Sequence, residues 1–234
     1  MDLARYDEVA DFYEAGWDDS CDDPATRSLL ELAGDVAGAR VLDLACGHGR
    51  VTRWLARCGA EVTGTDISAR LIERALAAEH ARPLGIRYLH ADAAAVDWLP
   101  GAEFDIVTCN FGLSDIDDLD HALASAARLL RAGGQFVFSI LHPCFPGGEN
   151  VSGAWPAAGT YYTEGWWRAD GELSSLRRQV GACHRTLATY LNTLRQHGLW
   201  LDAIAEPSPP AGWITARPDA ARSPVFLAAR CLKR

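Results

Sequence analysis

Val41-Leu42-Asp43-Leu44-Ala45-Cys46-Gly47-His48-Gly49-Arg50 is the stretch that decides the fold of this chain. Arg40 to Leu44 is a short apolar run ending in turn residues, the pattern of a buried strand. Residues 51–58 then carry helical spacing, so the segment reads as strand, glycine turn, helix. Glycines let the backbone pass close to a ligand, and a helix N-terminus offers unpaired N–H groups. A dinucleotide fingerprint needs a third glycine, and Thr52 stands in its place. Asp43 adds negative charge where a pyrophosphate would sit, but suits a ligand carrying an amino group. The alternative reading of the turn alone is a plain tight turn.

Outward from this turn a regular rhythm follows. Strands are expected at 61–66, 86–90, 104–109 and 135–140, with helices at 69–80 and 118–130 between them. The glycines of Arg131-Ala132-Gly133-Gly134 suit a helix C-terminus. Alternating units of this kind predict a parallel sheet with helices on both faces. The ligand site then belongs at the C-terminal ends of the strands. Upstream, residues 3–15 read as a helix with Tyr6, Val9, Ala10 and Tyr13 on one face, and 26–32 as a second. Downstream, the rhythm breaks at 143–182, a stretch rich in Gly, Pro and aromatic residues. A helix at 186–196 and strands at 200–204 and 225–230 close the pattern, with a proline-rich turn from Glu206 to Pro210. A single domain is expected: a helical cap (1–35), a ligand-binding core (36–142), an insert (143–185), and a C-terminal helix and hairpin (186–234).

Composition limits the partners. With 234 residues and a net charge of -9, the chain suits one α/β domain and lacks the basic balance that phosphate backbones require. No apolar run reaches membrane-spanning length and no signal peptide opens the chain, so a cytoplasmic protein without a membrane or nucleic-acid partner is expected. Seven cysteines without a C-x-x-C pair argue against a disulfide framework or a metal site.

At Asp43-Leu44-Ala45-Cys46-Gly47-His48-Gly49 the sequence resembles the class I S-adenosylmethionine-dependent methyltransferases. Their first motif reads roughly (D/E)-x-G-x-G-x-G, with Ala45 here replacing the first glycine. A negative φ at Ala45 would make that exchange cheap. The resemblance implies a Rossmann-like, mostly parallel seven-stranded sheet with an antiparallel C-terminal strand. It implies S-adenosylmethionine as cofactor and S-adenosylhomocysteine as product. Asp43 would then lie near the cofactor's amino group, above a turn made by Ala45, Cys46, Gly47 and Gly49. Asp66, with Ile67 after it, suits bidentate bonding to ribose hydroxyls. By the resemblance, Asp92 and Ala93 would meet the adenine, and Asn110 and Phe111 the methionine end. Tyr13 is expected to close over the cofactor. His48 would touch the cofactor carboxylate or face solvent.

Methyl transfer asks chiefly for alignment, plus a base when the nucleophile carries a proton that must leave. The candidate bases are His142 at the end of the fifth strand, Asp115 after the fourth, and His184 near the late helix. Each also has a structural reading: a loop-bonding histidine for the first and last, a solvated helix-start carboxylate for Asp115. Phe145, Trp155, Tyr162, Trp166 and Trp167 suggest an aromatic lid that stacks an acceptor, with Tyr6 opposite. A small satellite core is the other reading of those aromatics. The activity expected is methylation of a small or medium organic acceptor, a natural-product intermediate or even the sulfur of a disulfide-containing cyclic peptide, by a monomer or homodimer. The rival readings are a tRNA wobble-base methyltransferase and a non-catalytic cofactor-binding regulator.

Overall fold

The computed structural model describes residues 4–16, 20–96, 99, 101–146, 153–156, 158–169, 176–216 and 218–234. In chain order the strands are β1 (Arg40–Leu44), β2 (Glu61–Asp66), β3 (Arg87–His90), β4 (Phe104–Asn110), β5 (Leu130–Leu141), β6 (Gly165–Trp167), β7 (Ala182–His184), β8 (Leu199–Ala205) and β9 (Phe226–Lys233). The α-helices are α1 (Ala10–Ala15), α2 (Pro24–Ala33), α3 (Arg50–Arg57), α4 (Ala69–Ala81), α5 (Leu119–Leu129), α6 (Leu176–Val180), α7 (Leu187–Gln196) and α8 (Ala211–Ala216).

Seven strands form one sheet in the order β3-β2-β1-β4-β5-β9-β8. β1 to β5 run parallel, and β9 lies antiparallel between β5 and β8. Neighbouring residues on a strand face opposite layers. Val41, Val62, Ile106 and Val137 pack with Leu29, Leu30, Val51 and Leu55 of α2 and α3. Leu42, Leu44, Val107, Phe136 and Phe138 pack with Leu123, Tyr190 and Leu194 of α5 and α7. Ile72 and Ala75 of α4 cover Tyr88 of β3. No helix among the described residues is long and apolar enough to cross a membrane.

Local chemistry sets the helix starts. Asp23, Ser68, Asp118 and Thr186 each accept a backbone N–H of the first turn of the helix they cap. Gly49 caps α3 in the left-handed region, at φ 85°.

Three expected elements differ. The helix expected at 3–15 is a 3-10 turn at Asp7–Val9 followed by the short α1, with Leu3 outside the described residues. Ala10 is its only buried side chain, too little apolar surface to sustain a longer helix. Gly133 and Gly134 do not end α5. Leu130 is already extended, and the glycines lie within β5, where the register against β4 is irregular between Phe104 and Ile106. The insert contains β6 and β7, which pair as a separate antiparallel ribbon.

Candidate functional site

A cleft of about 1100 Å³ opens at the C-terminal ends of the strands. Ala45 and Gly47 of the glycine turn, Asp66 and Ile67 at the end of β2, and Asp92 and Ala93 after β3 line one part of it. Asn110 at the end of β4 and Phe111 and Asp115 beyond it line another, with Tyr6 and Tyr13 brought over from the N-terminal segment. These eleven were singled out from sequence, and parallel topology brings them together.

The floor carries strain. Ala45 has φ 53° and Phe111 φ 61°, both left-handed, so the expectation of a negative φ at Ala45 is overturned. Each is a non-glycine residue in a region that costs about 1–2 kcal/mol. A Cβ on Gly112 would stand 2.6 Å from the Cβ of Ala45, so the two backbones meet where a second side chain has no room.

Asp66 is buried, its Oδ2 accepting the N–H of Gly47 and its Oδ1 that of Ser68, both at 2.8 Å. Burial pushes its carboxyl up to about 6 against those two bonds. Asp92 Oδ1 accepts from the N–H of Ala94 at 2.9 Å. Both carboxylates keep lone pairs for hydroxyl or amino donors in the cleft.

Asp43, Cys46 and Gly49 are not cleft-lining residues. Asp43 is 1% exposed beneath the turn, accepting from Thr52 Oγ1 at 2.7 Å and Thr108 Oγ1 at 2.8 Å. It braces β1, β4 and α3 from below, which corrects the expectation of a ligand contact. Cys46 points its thiol back toward β2 and Tyr88, and Gly49 lies under the Tyr88 ring. His48 is buried, edge-on to Tyr13 with ring centroids 5.7 Å apart.

Of the candidate bases, Asp115 faces the cleft. Its Oδ2 accepts from the Tyr6 hydroxyl at 3.0 Å, its Oδ1 accepts from Arg177 of α6, and its backbone oxygen accepts from Arg5 at 3.0 Å. Desolvation, followed by the charge of Asp115, raises the Tyr6 phenol well above its usual range, so it stays a donor. His142 and His184 lie elsewhere. His142 is buried, with Nε2 3.0 Å from Glu206 and Nδ1 accepting from the N–H of Cys144 at 3.1 Å. Burial lowers its pKa, partly opposed by Glu206. His184 is buried with Nε2 bonded to the Tyr161 carbonyl at 2.8 Å, so it ties β7 to the insert.

The insert aromatics stay off the cleft wall. Phe145 is buried with Ala25, Val225 and Phe226. Trp155 Nε1 donates to the Pro143 carbonyl at 3.0 Å, and Trp167 Nε1 to that of Ala154 at 2.9 Å. Trp166 is half exposed and Tyr162 stands out in solvent. The satellite-core reading therefore describes Phe145, Trp155 and Trp167, and among the described residues of the insert Leu176 and Arg177 of α6 line the cleft.

Four arginines of the wall were missed from sequence, and each is held by an aspartate of the same wall. Arg5 meets Asp117 at 2.6 Å, Arg27 meets Asp22 at 3.4 Å, and Arg50 meets Asp23 at 3.0 Å. Arg177 meets Asp115. Arg50 also donates to Thr26 Oγ1 at 3.0 Å. Thr26 accepts from Asn110 Nδ2 at 3.0 Å, and Asn110 Oδ1 accepts from Ser139 at 2.7 Å. That chain of bonds ties α2 and α3 to the ends of β4 and β5.

Residues 42–138 match a family model described as a methyltransferase domain. The chain is 32% identical over 153 residues to a ubiquinone biosynthesis O-methyltransferase of Aromatoleum aromaticum, covering 62% of this chain and 63% of that one. It is 39% identical over 113 residues to a demethylmenaquinone methyltransferase of Thermus thermophilus, covering 47% and 51%. The chain thus spans between half and two thirds of the length of these curated relatives. A crystal structure of an S-adenosylmethionine-dependent methyltransferase from Mesorhizobium loti superposes with a TM-score of 0.71 at 28% identity, covering 90% of this chain and 98% of that one.

Proposed function

Starting from a chain that carries an S-adenosylmethionine-dependent methyltransferase domain, we propose that it methylates a small organic acceptor, at a hydroxyl in preference to a sulfur. The relatives named above act on quinone-type molecules, and a natural-product intermediate falls in the same size class. A disulfide peptide has no counterpart among those relatives.

The observation that carries the reading is one continuous cleft running from Asp66 and Asp92 past the glycine turn to Asp115. The donor set fits the cofactor. Asp66 would accept ribose hydroxyls and Asp92 the adenine amino group, and the N-terminus of α3 would face the amino-acid carboxylate. S-adenosylmethionine, when bound, supplies a methyl group already activated by its sulfonium. The chain's own residues then bind, orient and exclude water. Asp115, fixed by Tyr6 and Arg177, accepts the acceptor's hydroxyl proton or orients its lone pair. Tyr6 and Arg177 close the acceptor end against solvent.

Calorimetric titration with S-adenosylhomocysteine tests this. Wild type should bind with micromolar affinity, and Asp66→Ala and Asp92→Ala at least about tenfold more weakly, the loss of a charge-assisted bond. Thermal melting of the Asp92 variant separates lost contact from lost fold. Absence of binding by wild type would refute the reading.

A further inference from the structure

The cleft wall has an uneven charge balance. Seven aspartates and four arginines line it, and no lysine or histidine does so among the described residues. All four arginines are engaged by aspartates of the same wall, as described above. Arg177 is 7% exposed and also donates to the Gly181 carbonyl at 3.0 Å, so its charge is spent inside the protein. Asp66 and Asp92 lie toward the cofactor end. At the acceptor end Asp117 pairs with Arg5 and Asp115 with Arg177, and Asp118, which caps α5 and meets His121 Nδ1 at 2.7 Å, adds a third carboxylate to the wall.

We propose that this wall selects acceptors that are uncharged or carry a basic amine, and excludes those bearing a phosphate or carboxylate near the reacting atom. The inference rests on the methyltransferase reading above and narrows its substrate class. An anionic acceptor would have to take an arginine from its aspartate, leaving a partly buried carboxylate unpaired beside a second anion. A neutral or cationic acceptor leaves every pair intact and gains from the surplus acid.

Three catechols with the same reacting hydroxyls test the charge alone: dopamine, 4-methylcatechol and 3,4-dihydroxyphenylacetate. Each is titrated into wild type saturated with S-adenosylhomocysteine, at low salt and again at high salt. The amine should bind at least about tenfold more tightly than the acid, with the neutral compound between, and the gap should shrink as salt screens it. Asp117→Asn, which removes one acid and leaves the Arg5 charge without its carboxylate, should narrow the gap. Equal binding of amine and acid, a reversed order, binding by none of the three, or a gap unchanged by Asp117→Asn would each overturn the inference. Failure of S-adenosylhomocysteine itself to bind is read in the first titration and refutes the underlying function instead.

Discussion

Replacing Gly49 by alanine should damage the fold through one identifiable contact. Gly49 sits at φ 85°, and a Cβ built there lies 2.3 Å from the phenolic oxygen of Tyr88 and 2.9 Å from its Cζ. The left-handed conformation alone costs an alanine about 1–2 kcal/mol. Displacing a buried ring adds about 1–3 kcal/mol, because Tyr88 is also packed against Gly64, Cys46 and α4. Together they predict a loss of about 2–5 kcal/mol, measured by urea unfolding followed through tryptophan fluorescence. The Tyr88 hydroxyl finds no hydrogen-bond partner at normal distance, and Thr52 nearby is taken by Asp43. Tyr88→Phe alone should therefore be close to neutral. The double variant should recover the part of the loss that comes from the oxygen, giving a coupling of about 1 kcal/mol or more. A cost below about 1 kcal/mol for Gly49→Ala, or strict additivity of the two changes, would refute the packing argument.

Two further outcomes follow from the strained and buried residues around the turn. Ala45→Gly should relieve the left-handed strain at φ 53° and lose some of that gain to a freer unfolded chain, for a net stabilisation of up to about 1 kcal/mol in the same unfolding assay; a clear destabilisation would contradict the strain. For Asp43, burial outweighs the Thr52 and Thr108 bonds and moves its carboxyl from 3.8 up to about 6. A raised carboxylate pKa means the folded state holds the proton more tightly, so that contribution is full below 3.8 and lost as pH rises through about 6. Compared with Asp43→Asn, wild type should lose stability steadily between those limits, and a difference that does not change with pH would count against it.

The core was legible because its strands are buried on both faces. Val41-Leu42 and Phe136-Val137-Phe138 each serve two layers, and a run of that kind has few other readings. The cofactor end was legible for a related reason: Asp66 ends β2 and Asp92 stands just past β3, and parallel topology carries strand ends to one place. The acceptor end was not. Arg177 lies 62 residues from Asp115, and no local pattern in α6 marks it as a cleft residue. His142 and Glu206 meet across a similar gap in sequence, so a histidine pinned beside a proline at a strand end looked available when it was already buried and paired. The insert misled because aromatic side chains hold small cores together as readily as they stack ligands; where Trp155 and Trp167 send their indole N–H groups is a three-dimensional fact. The conformation of Ala45 was hidden for another reason: residue identity argues against a positive φ, and φ 53° there is set by the three-dimensional path of the turn.

The position of β9 bears on how the chain comes together during synthesis. It follows β8 in sequence yet lies between β5 and β8, and α2, from the beginning of the chain, packs against it. A nascent chain can pair β1 to β5 as they emerge, but β8 then has no neighbour to join and α2 lacks part of the surface it will cover. Both wait for a strand that leaves the ribosome nearly two hundred residues after α2. Until then the free edge of β5, with Val137, Phe138 and Ile140 on it, is open to pairing with another chain, and the interval before β9 arrives is when this protein most needs a chaperone.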